Sequence, residues 1–148
     1  MDINIRPLMA SDRDAWTSLW QAYLEFYRTT RPPQIYDTLW QRLLGDHPYD
    51  GHGLIAEVNN KPVGLTHYYF QRHGWYEEEV TYLQDLYAMP QVRGTGVGRA
   101  LIEAVYAAAD AAGRPHVYWM TEENNSVGRQ LYDRIGVHTP FVQYQRPA

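Results

Sequence analysis

The sequence predicts an α/β (α+β) domain spanning residues 1–148, with a mixed, mostly antiparallel sheet of six to seven strands and about four flanking helices. Three observations carry this prediction. Short β-rich runs recur, and two of them, Leu54–Val58 and Pro62–Tyr69, are separated only by the turn residues Asn59, Asn60 and Lys61. Apolar stripes at helical spacing lie between the runs, as in Trp16, Leu19, Trp20, Tyr23, Leu24 and Tyr27. A glycine cluster then marks the passage from a strand-like run into an alanine-rich helix. No linker or internal repeat divides the chain.

Each element has its own signal. Ile3 and Ile5 alternate as a short strand that Pro7 ends, and Ser11 stands as the N-cap of the first helix. Thr29 to Pro33 breaks that helix. A second runs from Ile35 to Leu44, with Leu39, Trp40 and Leu43 facing inward. Gly45–Gly53 is a loop, followed by the two hairpin strands. Val80–Ala88 is the next strand, reached through Gly74-Trp75-Tyr76-Glu77-Glu78-Glu79. Val97, Leu101, Val105 and Ala109 form one face of a helix over Val97–Ala112, which stops at Gly113 with Pro115 beyond. His116–Met120 reads as a strand, Ser126–Ile135 as a final helix, and Phe141–Tyr144 as a terminal strand.

Composition narrows the function classes. Apolar residues make up 45% and charged residues 20%, which suits an ordered core and not a disordered chain. The absence of cysteine removes disulfides, thiol nucleophiles and zinc–thiolate sites, and it suits a cytoplasmic location. The six histidines show no metal-ligand spacing, so no metal is expected. Met1 to Arg6 lacks the basic-then-apolar shape of a signal peptide, and no apolar run reaches the ~20 residues of a membrane span. A net charge of −4 argues against nucleic acid as a partner and is compatible with a cationic one.

The segment Arg93-Gly94-Thr95-Gly96-Val97-Gly98 carries the sharpest functional signal. Alternating glycines permit positive φ and let backbone N–H groups close around an anion, and the helix that follows adds its positive end. Two common phosphate loops are excluded by spacing. A P-loop would end Gly-Lys-Ser/Thr, whereas Arg99-Ala100 follows Gly98, and Arg99 also stands where a dinucleotide fingerprint needs its third glycine. The pattern Arg-x-x-Gly-x-Gly resembles the pyrophosphate loop of the GCN5-related N-acetyltransferase (GNAT) superfamily. The resemblance extends upstream through Tyr82-Leu83-Gln84-Asp85-Leu86-Tyr87-Ala88-Met89-Pro90. Downstream it reaches Asn125-Ser126-Val127-Gly128-Arg129-Gln130-Leu131-Tyr132, with Gly128 in an alanine place. It covers about the last half of the chain and is closest to the polyamine- and histone-acetylating branch.

This resemblance implies acetyl-CoA as acetyl donor and a V-shaped slot between the fourth and fifth strands, beside a bulge in Tyr82–Ala88. Leu86, Tyr87 and Ala88 would line the donor's pantetheine arm, with a backbone amide such as that of Leu86 stabilising the oxyanion. Arg93, Gly94, Thr95, Gly96, Val97, Gly98 and Arg99 would hold the pyrophosphate, and Asn125 would bind the arm or cap its helix. Tyr132 is the implied general acid toward the departing thiolate. A phenol near pKa ~10 protonating a thiolate whose acid is near ~8.5 faces an uphill gap of about 2 kcal/mol. The base is open. The related branch has a glutamate where Gln84 stands, and Gln84 can only orient a water. Asp85 is the nearest substitute, with Glu77–Glu79, Glu122, Glu123, His67 and His116 also considered.

The acceptor implied is a polyamine, another small amine, or a lysine of a basic protein tail, attacked directly with no covalent enzyme intermediate. A catalytically weak CoA-binding sensor is the competing reading, because Gln84 departs from the family pattern. Glu77–Glu79 is expected to approach the acceptor side and steer cations, and the Phe141–Tyr144 strand to support a homodimer.

Overall fold

A computed structural model describes residues 2–148. In chain order the elements are β1 (Ile3–Pro7), α1 (Arg13–Phe26), α2 (Pro33–Leu43), β2 (His52–Val58), β3 (Lys61–Gln71), β4 (Val80–Ala88), α3 (Val97–Ala111), β5 (Val117–Tyr118) and α4 (Ser126–Ile135). The strands form one sheet in sequence order, antiparallel except for the parallel β4–β5 pair. A parallel neighbour requires a crossover, and α3 supplies it. The hairpin between β2 and β3 turns at Asn59 and Asn60, both with positive φ (54° and 63°), as a tight two-residue hairpin turn demands.

Helix starts and stops follow local chemistry. The N-cap expected at Ser11 is replaced by a short 3-10 turn, Ala10–Asp12. There the Asp12 carboxylate accepts the Met9 N–H at 2.8 Å and pairs with Arg6 on β1, so a partly buried ion pair ties α1 to the sheet. Gly113, at φ 72°, ends α3 as expected, with Arg114 N–H donating to the Ala109 carbonyl. Arg28 ends α1 in the same left-handed geometry (φ 57°), where glycine is the usual occupant.

The sheet is covered on both faces. Against α1 and α2 the core is aromatic: Trp16, fully buried, stacks on Trp20 at 5.6 Å and meets Trp40 at 4.9 Å, over Ile55 and Leu65. Against α3 it is aliphatic, built from Val97, Leu101, Ile102 and Val105 over Leu54, Ala56, Val63 and Leu83. No helix among the described residues is long and apolar enough to cross a membrane.

The sheet has five strands, fewer than the six to seven expected. Phe141, Val142 and Tyr144 are exposed and pair with no strand, although they alternate like one. The strand expected over His116–Met120 shrinks to Val117–Tyr118 because β4 pairs with it only at Thr81 and Tyr82. A strand persists only while a neighbour holds its ladder.

Candidate active site

The same divergence opens the site. From Gly64↔Ala88 to His67↔Asp85 the β3–β4 ladder keeps one register; from Tyr68↔Leu83 to Gln71↔Val80 it keeps another. Gln84 is the extra residue between them, a β-bulge of the kind the family resemblance implies. On its other edge β4 parts from β5 after Tyr82↔Tyr118. Bulge and splay therefore coincide, and from Leu83 to Ala88 the outer edge of β4 has no strand beside it. The Thr66 hydroxyl donates to the Asp85 carbonyl at 2.7 Å, which satisfies that bulge carbonyl from the opposite strand.

At the end of β4 the glycine loop takes the form an anion cradle requires. Gly94 and Gly96 have φ of 80° and 99°, and Gly96 is the N-cap of α3. The first helical bond runs from Ala100 N–H to the Gly96 carbonyl, leaving the amides of the first turn, Val97, Gly98 and Arg99, without intrahelical partners. A Cβ at Gly94 would meet nothing within 4 Å, and one at Gly96 only Ile3 at 3.8 Å. Backbone conformation, not crowding, is what reserves these places for glycine. Thr95 donates its hydroxyl to the Val92 carbonyl and so fixes the loop. Arg93 donates from its Nε to the Ala88 carbonyl at 3.0 Å and its guanidinium lies over Phe26 and Tyr87. It joins loop, strand and α1. Arg99 pairs along the helix surface with Glu103.

On the α1 side of the bulge lies a cavity of about 450 Å³, lined by Tyr23, Tyr27, Tyr82, Gln84, Asp85, Met120, Thr121, Glu122 and Gln143. Asp85 is buried at its wall, with Oδ2 2.8 Å from His67 Nδ1. On the far side of that fully buried ring, Trp16 Nε1 donates to His67 Nε2 at 2.9 Å. An indole nitrogen only donates, so Nε2 must be the accepting nitrogen and Nδ1 carries the proton that goes to Asp85. Burial works against ionisation of Asp85. The hydrogen bond from His67, with Tyr23 and Trp20 turned toward the same carboxylate, outweighs it and holds the group below the usual carboxylate range. Trp20 Nε1 still lacks a partner of ordinary hydrogen-bond geometry. Burial first, and then the Asp85 charge, push the Tyr23 phenol well up, so it remains a donor.

Tyr132 projects from α4 with its ring edge-on to Trp119, at 5.7 Å. Burial, and then the nearby Tyr27, push its phenol up to about 12. The gap to a thiol of ~8.5 thus widens to about 3.5 units, or about 5 kcal/mol. A thiolate leaving within the same slot is desolvated too, which raises its own pKa and narrows that gap. Asn125 caps α4, accepting from Gly128 N–H at 3.3 Å and donating to Thr121 at 2.9 Å. A Cβ at Gly128 would lie 2.5 Å from the Asn125 amide, so a side chain there requires Asn125 to shift.

The structure brings Gln84 and Asp85 to the cavity and Leu86–Ala88 to the open edge. It sets Glu77–Glu79 elsewhere. They precede β4, line a separate groove with Arg72 and Gly113, and Glu79 pairs with Arg114 at 2.8 Å. That groove shares no lining residue with the cavity, so the steering role expected of the run has no support from its position. Missed at the sequence level were Tyr23 and Tyr27, which sit in the apolar stripe of α1, and Thr121. The only signal for the tyrosines is a hydroxyl on an otherwise apolar stripe.

A sheet split beside a bulge, with a glycine-led helix following the split strand, is the arrangement that the GNAT resemblance implies. The chain matches the acetyltransferase (GNAT) family over residues 16–137. It is 36% identical over 146 residues to D-amino-acid N-acetyltransferase HPA3 of Saccharomyces cerevisiae, covering 97% of this chain and 90% of that protein. Over 100 residues it is 38% identical to thialysine N-epsilon-acetyltransferase of Mus musculus, covering 62% and 58%. Its fold matches the solved structure of AAC(6')-Iy in complex with the bisubstrate analog CoA-S-monomethyl-acetylneamine, with TM-score 0.83, 18% identity, and 100% and 99% of the two chains covered. The chain belongs to the acetyltransferase (GNAT) family and is an acetyltransferase.

Proposed function

We propose that the protein is a cytoplasmic enzyme that transfers acetyl from acetyl-CoA to a primary amine of a small acceptor, by direct attack of the amine on the thioester. The observation that carries this reading is the coincidence of bulge and splay at Gln84, with a glycine-led helix on one side and an aromatic, acidic cavity on the other. In this reading the amides of Gly94 and of Gly96 to Arg99 hold the pyrophosphate, the open edge from Leu86 to Ala88 holds the pantetheine arm, and the Leu86 amide faces the developing oxyanion. Tyr132 gives its proton to the departing thiolate. Asn125 shapes the slot by capping α4 against Thr121. The names of the relatives support a small amine over a protein tail, since they specify amino acids and thialysine.

In this reading Asp85, held below the usual carboxylate range by its hydrogen bonds, is a weak base and acts through its charge. Freeing an amine near ~10.4 of its proton at pH 7 costs about 4.6 kcal/mol whichever group relays that proton to solvent. The rate under subsaturating amine therefore rises with pH, about tenfold per unit below the amine's pKa. A second copy of the chain paired along the exposed Phe141–Tyr144 segment completes the proposal. Thiol release from acetyl-CoA across a panel of amines and amino acids, with mass spectrometry of the products, tests it. Acetylated amine supports the reading; thiol release that no amine accelerates overturns it.

A further inference from the structure

The Trp16–His67–Asp85 chain is more than the core needs. A buried histidine is satisfied by two hydrogen bonds, but here one of those bonds ends on a carboxylate at a cavity wall, directly beside the bulge. Burying a carboxylate in an aromatic core is costly unless its charge has a use or a partner. No Arg or Lys pairs with Asp85, and Trp20 Nε1, beside it, is the one buried side-chain polar atom without a partner among the described residues. The rings of Tyr23, Tyr27 and Tyr82 line the same space. A fixed negative charge among aromatic rings is the chemistry that recognises a cationic ammonium group.

We propose that Asp85 is the binding site for a protonated amine of the acceptor, and that His67, itself untouched by substrate, is a positioning residue that holds the carboxylate toward the cavity. This rests on the acetyl-transfer reading for its meaning, but binding can be measured without transfer. His67 has one tautomer that serves both neighbours, Nδ1–H to Asp85 and bare Nε2 to Trp16. Trp16 thus selects the tautomer and the tautomer orients Asp85.

The geometry supplies a test in which packing and positioning give opposite orders. Asparagine places its amide near the Nδ1 position and can still donate to Asp85, while losing the Trp16 bond and more volume. Glutamine fills more of the space and can still accept from Trp16, but its polar end lies at the Nε2 position and leaves Asp85 without its donor. With CoA bound, which has no acetyl group to give, calorimetric titration with 1,4-diaminobutane reports acceptor binding alone. Expected are a loss of about tenfold or more in affinity for Asp85→Asn and for His67→Gln, and a loss within about threefold for His67→Asn, since a charge-assisted hydrogen bond contributes on that scale. CoA affinity, measured in parallel, should be kept in all three and confirms folding. Asp85→Asn binding the diamine like the parent, or His67→Gln binding better than His67→Asn, overturns the proposal. A parent that binds no diamine overturns it too, while leaving acetyl transfer to another acceptor class open to the product assay. Normal binding in a protein that transfers to no amine would instead count against the transfer reading alone.

Discussion

The two faces of the sheet are built on different principles. Under α3 the buried core is mainly aliphatic: Val97, Leu101, Ile102 and Val105 fill space. Under α1 and α2 tryptophans and tyrosines surround a buried histidine–aspartate pair. The aliphatic face carries the glycine loop and the donor side, so its task is to hold one helix end rigidly at the slot. The aromatic face carries the cavity, where orientation of charge matters more than packing density. Rigidity is obtained from shape on one side and from hydrogen-bond direction on the other.

Substitutions can separate the two. The largest effect is expected at the junction of the faces: Tyr132→Phe keeps the packing against Trp119 and should lower kcat ~10²–10⁴-fold with acetyl-CoA affinity nearly unchanged, read by steady-state kinetics. Turnover near the parent's would make Tyr132 a packing residue only. On the aliphatic face Leu101→Ala should cost about 2–5 kcal/mol of stability in denaturant unfolding, with KM for amine kept in the remaining folded enzyme. Gly96→Val should leave the fold in place and weaken acetyl-CoA binding by about tenfold or more, because φ of 99° strains any L side chain by about 1–3 kcal/mol. Unchanged binding, measured by thermal shift with acetyl-CoA, would remove the loop from the donor site.

How much of this was legible depends on the distance over which each feature is encoded. The bounds of β4 and α4 and the start of α3 agree with the sequence pattern because alternation and helical periodicity are local. The bulge was implied only by resemblance, since one unpaired residue, Gln84, leaves no mark on periodicity. The Trp16–His67–Asp85 chain joins positions 51 and 18 residues apart and is visible only after folding. His67 was readable as a satisfied core histidine but not as one that ends at a cavity. Phe141–Tyr144 shows the converse failure: its alternation is that of a strand, yet it pairs with no strand among the described residues.

Smaller effects sharpen the contrast further. Asp12→Ala should cost about 1–3 kcal/mol by breaking the pair that ties α1 to β1. The hydrogen bond from Arg6 holds the Asp12 carboxyl below its usual 3.8, so the parent's advantage is full above about pH 4 and fades as acid protonates the folded group. Urea unfolding of both proteins across that range checks the sign. The smallest effect is expected from Glu77, Glu78 and Glu79 changed together to glutamine: the run lies at the other end of β4, and the salt dependence of kcat/KM should match the parent's.

The division of labour between the faces is tested most directly by a ¹⁵N-resolved NMR titration with CoA alone. The account predicts the largest shifts at the amides of Gly94, Gly96, Val97 and Gly98 and along Leu86–Ala88, with the Trp16 indole signal almost unmoved. Shifts centred instead on the groove between Arg72 and Arg114, or on the tryptophans of α1, would contradict it.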